Sequence, residues 1–130
     1  PNGNGMMLVF NQKTGEPMAT MKDEAHLTDV RTAVAGAVCA KYLSPKIVNN
    51  IGIVGTGLQA KMQLKYLNSI IDCKNVIVWG RRETSLLKYQ SEMKNAGFEI
   101  TTTTDINDVM DNCQLIVTFV SSKNFELGLF

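Results

Sequence analysis

The sequence lacks the features that would mark several functional classes. Its three cysteines, Cys39, Cys73 and Cys113, are widely spaced and form no CxxC pair or Cys/His cluster, which removes the usual zinc and dithiol patterns. An odd, scattered set of this kind reads as reduced, mostly buried thiols. The one histidine, His26, lies in a polar stretch without companion ligands, so it is expected at the surface or supporting a site from outside. The formal net charge is only +1, a near-neutral balance that gives no support to a nucleic-acid or membrane-surface partner, either of which would normally require a basic face. No run approaches the roughly 18 apolar residues of a membrane span. Residues 1–5, PNGNG, carry no basic-then-apolar signal sequence, and a cytoplasmic protein is expected.

What is present is an ordinary globular composition, 45% hydrophobic and 19% charged over 130 residues, enough for about one domain. The most informative stretch is 51–63, IGIVGTGLQAKMQ. A short apolar run breaks into Gly55-Thr56-Gly57-Leu58-Gln59-Ala60 and continues with helix-forming residues, the pattern of a buried strand turning sharply into a helix. In this G-x-G-x-x-A spacing Gly55 permits the tight turn, Gly57 lets the backbone approach a pyrophosphate, and Ala60 keeps the helix close to the sheet. Phosphates would rest on free N–H groups at the helix start, where the macrodipole favours negative charge.

In chain order, 6–10 and 18–21 read as two strands joined by a Gly-containing loop, a hairpin whose apolar residues need a larger domain around them. A helix is expected from Thr28, as N-cap, to Leu43, stopped by Ser44-Pro45. Val30, Val34, Ala37, Val38 and Tyr42 repeat along it at helical spacing, with small residues on its other faces, so it packs on more than one side. Arg31 and Thr32 fall in its first turn, where the dipole disfavours a cation. Arg31 is therefore either a surface residue paired with Asp29 or Glu24, or the holder of a phosphate or carboxylate.

After the glycine turn a helix is expected over 59–71, a strand over 75–79, a helix over 84–96 closed by Gly97, and a strand over 98–102. A short helix capped by Asp105 runs to 110, and a strand covers 115–120. The alternation β-α-β-α-β-α-β predicts an α/β fold, the first half of a Rossmann-type doubly wound parallel sheet of order 3-2-1-4, preceded by the hairpin and a connecting helix. The chain divides into 1–27, a hairpin that needs a larger domain, 28–48, the connecting helix, and 49–130, an incomplete dinucleotide-binding domain.

The ribose discriminator belongs at the end of the second strand of the unit, where NAD binders usually place Asp or Glu. Here the strand ends Trp79-Gly80-Arg81-Arg82, with Glu83 slightly late. Two guanidiniums suit a 2′-phosphate, so NADP(H) is favoured and NAD(H) remains possible. S-adenosylmethionine would want an acidic ribose clamp and is less favoured.

The turn and the preceding helix together carry a more specific resemblance. Leu27-Thr28-Asp29-Val30-Arg31-Thr32-Ala33, then Ala40-Lys41-Tyr42-Leu43, then residues 51–60, IGIVGTGLQA, resemble the ornithine cyclodeaminase and mu-crystallin family, with Gln59 as a distinguishing mark. The resemblance covers nearly the whole chain, and it implies that 1–27 ends a dimerisation domain and that 49–130 takes NAD(P). It implies a homodimeric, NAD(P)-dependent enzyme that acts on an amino acid or cyclic imine, by deaminating cyclisation of ornithine, ketimine reduction or amino-acid dehydrogenation, with hydride passing between the nicotinamide and the substrate α-carbon. A non-catalytic NADPH-binding carrier or regulatory protein is the alternative. By the same resemblance Arg31 meets the substrate carboxylate or the cofactor, Thr32 the phosphates, and residues 57–60 the pyrophosphate. Gly80, Arg81 and Arg82 match the ribose-phosphate loop of NADPH-using members, and Val120 and Ser121 face the nicotinamide side, although the family often has Thr at the Val120 position. The family's substrate lysine and acid/base aspartate fall before Pro1 and after Phe130; Lys22 and Asp23 do not match them. The chain therefore reads as the middle of a longer enzyme, inactive by itself.

Overall fold

The computed structural model describes residues 5–119. Strands β1 (Met6–Phe10) and β2 (Pro17–Lys22) form an antiparallel hairpin in which Met6 pairs with Lys22 and Phe10 with Pro17. The turn is closed by the Asn11 side chain, which accepts from the Lys13 and Thr14 N–H groups. The hairpin forms as expected, and every residue of both strands is exposed, Phe10 and Met18 more than half.

Helix α1 spans His26–Leu43, so it begins earlier than the expected cap at Thr28. Glu24 and Ala25 take positive φ, 46° and 70°, and bend the chain into the helix two residues sooner. The Asp23 carboxylate then accepts from the Leu27 N–H at 2.7 Å and the Ala25 N–H at 3.2 Å, doing the work of an N-cap from outside the helix. Thr28, already inside the helix, offers its carbonyl to the Thr32 hydroxyl. The packing face of α1 is the small one: Ala33, Ala37 and Ala40 are buried, while Val34, Val38 and Tyr42 are exposed. Small residues let two helices approach closely, and the partner here is the helix that follows the glycine turn.

A four-stranded parallel sheet makes up the rest, in the order β5-β4-β3-β6, the expected 3-2-1-4. Its strands are β3 (Ile51–Val54), β4 (Asn75–Trp79), β5 (Glu99–Thr103) and β6 (Leu115–Thr118); its helices are α2 (Leu58–Leu67), α3 (Glu83–Asn95) and α4 (Ile106–Asn112). All four residues of β3 are buried, as a central strand covered on both faces requires. Ile51 and Ile53 share a core with Leu64 and Leu67 of α2 and with Leu86, Tyr89 and Met93 of α3. The alternation of a strand puts Gly52 on the opposite face, where a Cβ would stand 2.6 Å from Val109 Cγ1 of α4. Helices therefore cover both faces, which makes the sheet doubly wound.

Helix α2 ends at Leu67, four residues short of expectation. Ser69 and Ile70 tighten into i→i+3 bonds, and the Ser69 hydroxyl donates to the Tyr66 carbonyl. Asp105 caps α4 as expected, accepting from the Asn107 N–H at 2.9 Å, and Gly97 turns the chain out of α3 at φ 88°. Cys73 is buried as read, but Cys39 is exposed and Cys113 half-buried, because Cys39 lies on the outer side of α1. His26 is exposed at the first residue of α1. Among the described residues no helix is long and apolar enough to cross a membrane, and no group of metal-ligating side chains is assembled.

Candidate functional site: a glycine turn braced by a neighbouring helix

The glycine turn sits at the carboxyl end of β3, between β4 and β6, where the strand order reverses direction and open α/β sheets bind their ligands. Gly55 adopts φ 116°, its N–H donates to the Trp79 carbonyl, and a Cβ there would stand 2.6 Å from the Phe119 carbonyl oxygen. Position 55 is thus closed to any side chain by conformation and by space. Gly57 differs: its backbone is extended, and an added Cβ would meet nothing within 4 Å. The space in front of Gly57 is open.

Helix α2 has no side-chain cap. Among the described residues the N–H groups of Leu58, Gln59 and Ala60 find no protein acceptor, and the first intrahelical bond runs from Lys61 N–H to Gly57 O. Three aligned donors with no acceptor, opening onto clear space at the positive end of a helix, fit an anionic group such as a pyrophosphate. Ala60 is fully buried against the sheet, and its carbonyl accepts from the buried Tyr89 hydroxyl at 3.1 Å, which anchors the helix start to α3.

The loop after β4 lies against this turn. Gly80 is buried, its N–H donates to the Thr103 carbonyl, and a Cβ would come within 3.1 Å of both Thr56 Cγ2 and Leu86 Cδ2. Arg81 and Arg82 follow, both exposed and with no ion pair among the described residues. Glu83 stands in the first turn of α3 and lines a hollow of about 360 Å³ with Leu86, Leu87 and residues 102–104.

Arg31 is exposed in the first turns of α1 and pairs with neither Asp29 nor Glu24. The carboxylate is engaged elsewhere: Gln59 Nε2 donates to Asp29 Oδ1 at 2.7 Å and to the Asp29 carbonyl at 3.3 Å. One turn further along α2, Gln63 Nε2 donates to the Thr32 carbonyl at 3.2 Å. The Thr32 hydroxyl spends its proton on the Thr28 carbonyl at 2.8 Å and must rotate to serve an anion. Gln63 is only 4% exposed, and its Oε1 takes no hydrogen bond; it faces Gly36, where a Cβ would overlap it. Glycine at position 36 leaves the room that this oxygen occupies.

The structure therefore brings residues 55–60, Gly80 and the start of Arg81-Arg82 to one edge of the sheet and ties Asp29 and Thr32, on either side of Arg31, to α2. Val120 and Ser121 lie outside the described residues. Asp23, Asp29, Gly36 and Gln63 were not singled out as site residues from the sequence. The i, i+4 pair Gln59 and Gln63, together with a glycine inside an alanine-rich helix, was the available signal for the last three.

Comparison with known proteins agrees with this fold. The model of the ornithine cyclodeaminase/mu-crystallin family matches residues 1–128. The chain is 34% identical over 119 residues to an uncharacterized cyclodeaminase of Sinorhizobium fredii, covering 91% of this chain and 36% of that protein. Among solved structures, it superposes on Thermococcus litoralis Delta(1)-pyrroline-2-carboxylate reductase in complex with NADH and L-proline with a TM-score of 0.77 at 28% identity, covering 88% of this chain and 36% of the other. An archaeal alanine dehydrogenase dimer with bound NAD gives a TM-score of 0.79 at 30% identity, covering 88% and 35%. The chain spans little more than a third of the length of these proteins. With a glycine turn, a braced connecting helix and a family match running almost from end to end, the chain belongs to the ornithine cyclodeaminase/mu-crystallin family.

Proposed function

We propose that this chain carries the cofactor-holding part of an NAD(P)-dependent enzyme that acts on an amino acid or a cyclic imine, with NADP(H) preferred over NAD(H). The observation that supports it is the row of unpartnered N–H groups at the start of α2, reached through the open space in front of Gly57. In this reading the N–H groups of residues 57–60 hold the pyrophosphate, and Gly55 supplies the turn that aims them. The Thr32 hydroxyl turns from the Thr28 carbonyl to a phosphate oxygen. Arg31, exposed and without an ion-pair partner among the described residues, fixes the substrate carboxylate or offsets cofactor charge. When bound, the nicotinamide supplies hydride exchange with the substrate α-carbon. Val120 and Ser121 belong to the nicotinamide side by family resemblance.

The preference for NADP(H) rests on Gly80, Arg81 and Arg82. Gly80 brings the loop against Thr56, and two guanidiniums follow where a carboxylate would select NAD. The two solved relatives named above hold NADH and NAD, so this loop is where the chain would depart from them. The division into 1–27, 28–48 and 49–130, and a homodimer formed through the N-terminal part, are included in the proposal; the exposed apolar faces of the hairpin and of α1 at Val34 and Val38 support it.

Titration of the whole protein with NADPH and NADH, followed by nucleotide fluorescence, tests the reading. NADPH should bind about tenfold more tightly, and Arg81→Ala with Arg82→Ala should erase that difference. Binding of neither nucleotide overturns the proposal. NADPH binding without turnover of any amino acid or cyclic imine selects the carrier alternative.

A further inference from the structure

We infer that Gln59 and Gln63 are positioning residues: their side-chain amides lock the first turns of α1 to the start of α2 and so hold Arg31 and Thr32 in register with the glycine turn. The inference rests on the cofactor reading above and extends it to residues that touch neither cofactor nor substrate through their side chains.

Both glutamines stand on α2 one turn apart, and both turn their amides away from their own helix into α1. Gln59 reaches the Asp29 carboxylate and carbonyl, and Gln63 reaches the Thr32 carbonyl. Asp29 and Thr32 bracket Arg31. The rest of the buried α1 face is Ala33, Ala37 and Ala40, a smooth row that permits close approach but resists sliding along the helix axis only weakly. A slip of one turn, about 5.4 Å, would carry Arg31 and Thr32 clear of the anion site. Directional bonds from two fixed amides remove that freedom, which apolar contacts of this size cannot do.

The cost of the arrangement points the same way. Gln59 Oε1 and Gln63 Oε1 are buried and take no hydrogen bond among the described residues. A leucine at either place would bury without that penalty. The amides' bonds to Asp29 and to the Thr32 carbonyl are thus offset by two unpaired buried oxygens, and what the pair adds beyond a leucine is fixed register. The seat of Gln63 also requires Gly36, since any larger residue would fill the place of its oxygen.

The test uses the whole protein and NADPH as the probe. Gln59→Leu and Gln63→Leu should each weaken NADPH binding about tenfold while the melting temperature of the free protein falls little or rises. Introduced into an Arg31→Ala, Thr32→Ala background, each change should add less than about threefold, because the glutamines act through the placement of those two residues. Asp29→Asn keeps an oxygen for the Gln59 amide and should bind NADPH within about twofold of the parent, whereas Asp29→Leu should reproduce Gln59→Leu. Parent-like binding by either glutamine variant, full additivity with the Arg31→Ala, Thr32→Ala pair, or equal losses for Asp29→Asn and Asp29→Leu would each overturn the inference. If Gln59→Leu fails to fold, the Asp29 pair decides the question from the other end of its bond; if Gln63→Leu fails to fold, Gln63→Met, of similar length and without the amide, takes its place with the same expected loss. An unmodified protein that binds neither NADPH nor NADH defeats the cofactor reading itself, and this inference with it.

Discussion

The carboxamide oxygen of Gln63 occupies the space that a side chain at Gly36 would need, so the two residues are fitted to each other across the α1–α2 contact. Gly36→Ala should therefore destabilise the fold by about 1 to 2 kcal/mol, although alanine is the better helix former by roughly 1 kcal/mol. In a Gln63→Ala background the same change should become neutral or stabilising. Chemical denaturation of the four proteins checks the sign reversal, and a Gly36→Ala penalty that persists without Gln63 would break the pairing.

Gly55 and Gly57 should respond in opposite ways to the same substitution. Gly55→Ala forces a Cβ into the Phe119 carbonyl at φ 116° and should cost at least about 2 kcal/mol of stability. Gly57→Ala has free space and an ordinary backbone, so stability should change by less than about 1 kcal/mol, while NADPH affinity drops at least about tenfold as the methyl group meets the phosphates. Thermal melts and nucleotide titration separate the two.

Ala25 is held at φ 70° next to Glu24 at φ 46°, both on the left-handed side that costs a residue with a Cβ. Ala25→Gly should raise stability by about 0.5 to 1 kcal/mol, the relief of strain exceeding the extra chain entropy of glycine. An unchanged or lowered melting temperature would mean that the bend before α1 is not strained.

Burial raises the Tyr89 phenol above its ordinary value of 10.0, because the phenolate would lose its hydration. The neutral form is the one the fold accepts. Its contribution is fully present below pH 10 and is lost as pH rises from there through the raised folded-state value. Tyr89→Phe should remove this alkaline loss and cost about 1 kcal/mol at neutral pH, since the Ala60 carbonyl loses a buried donor. Stability measured from about pH 8 to about pH 11, a span that crosses the ordinary titration range of a phenol, provides the comparison.

The thiols should label in a fixed order. Cys39 is exposed and should react first with a maleimide at about pH 8. Cys113 is half-buried and its thiol is pushed up to about 11, mainly by burial and further by the neighbouring Cys73, so it should follow slowly. Cys73, buried and directed at the Asn49 carbonyl, should wait for unfolding. Mass spectrometry of timed aliquots reads the order directly.

Much of this architecture was legible because its signals are local. The glycine turn, the β-branched runs at 75–79 and 99–103, the Asp105 cap and Gly97 each act on their immediate neighbours, and the strand order follows from the crossover rule once the alternation is read. The start of α1 was misplaced because Thr28 is a good cap by type, while Asp23 reaches the same helix through two left-handed residues that nothing in their identity announces. The face of α1 was harder still. Large residues such as Val34 and Tyr42 draw the eye by periodicity, yet the buried contact is made by Ala33, Gly36 and Ala37, whose value lies in how little space they take. The bonds of Gln59 and Gln63 join residues some thirty positions apart, beyond any periodic pattern.

The order of strands also sets the order of assembly. Strand β3 meets β4 across the short α2 crossover, but its other neighbour, β6, must return from Leu115 to pair with Ile51, a loop more than twice as long. Closure entropy and contact order make that the slower event. Phe119, which walls in Gly55, arrives only with β6, so the glycine turn is expected to be completed at the end of folding rather than with the helix that follows it. Nucleotide binding during refolding would then report the docking of the last strand, trailing the recovery of helical signal.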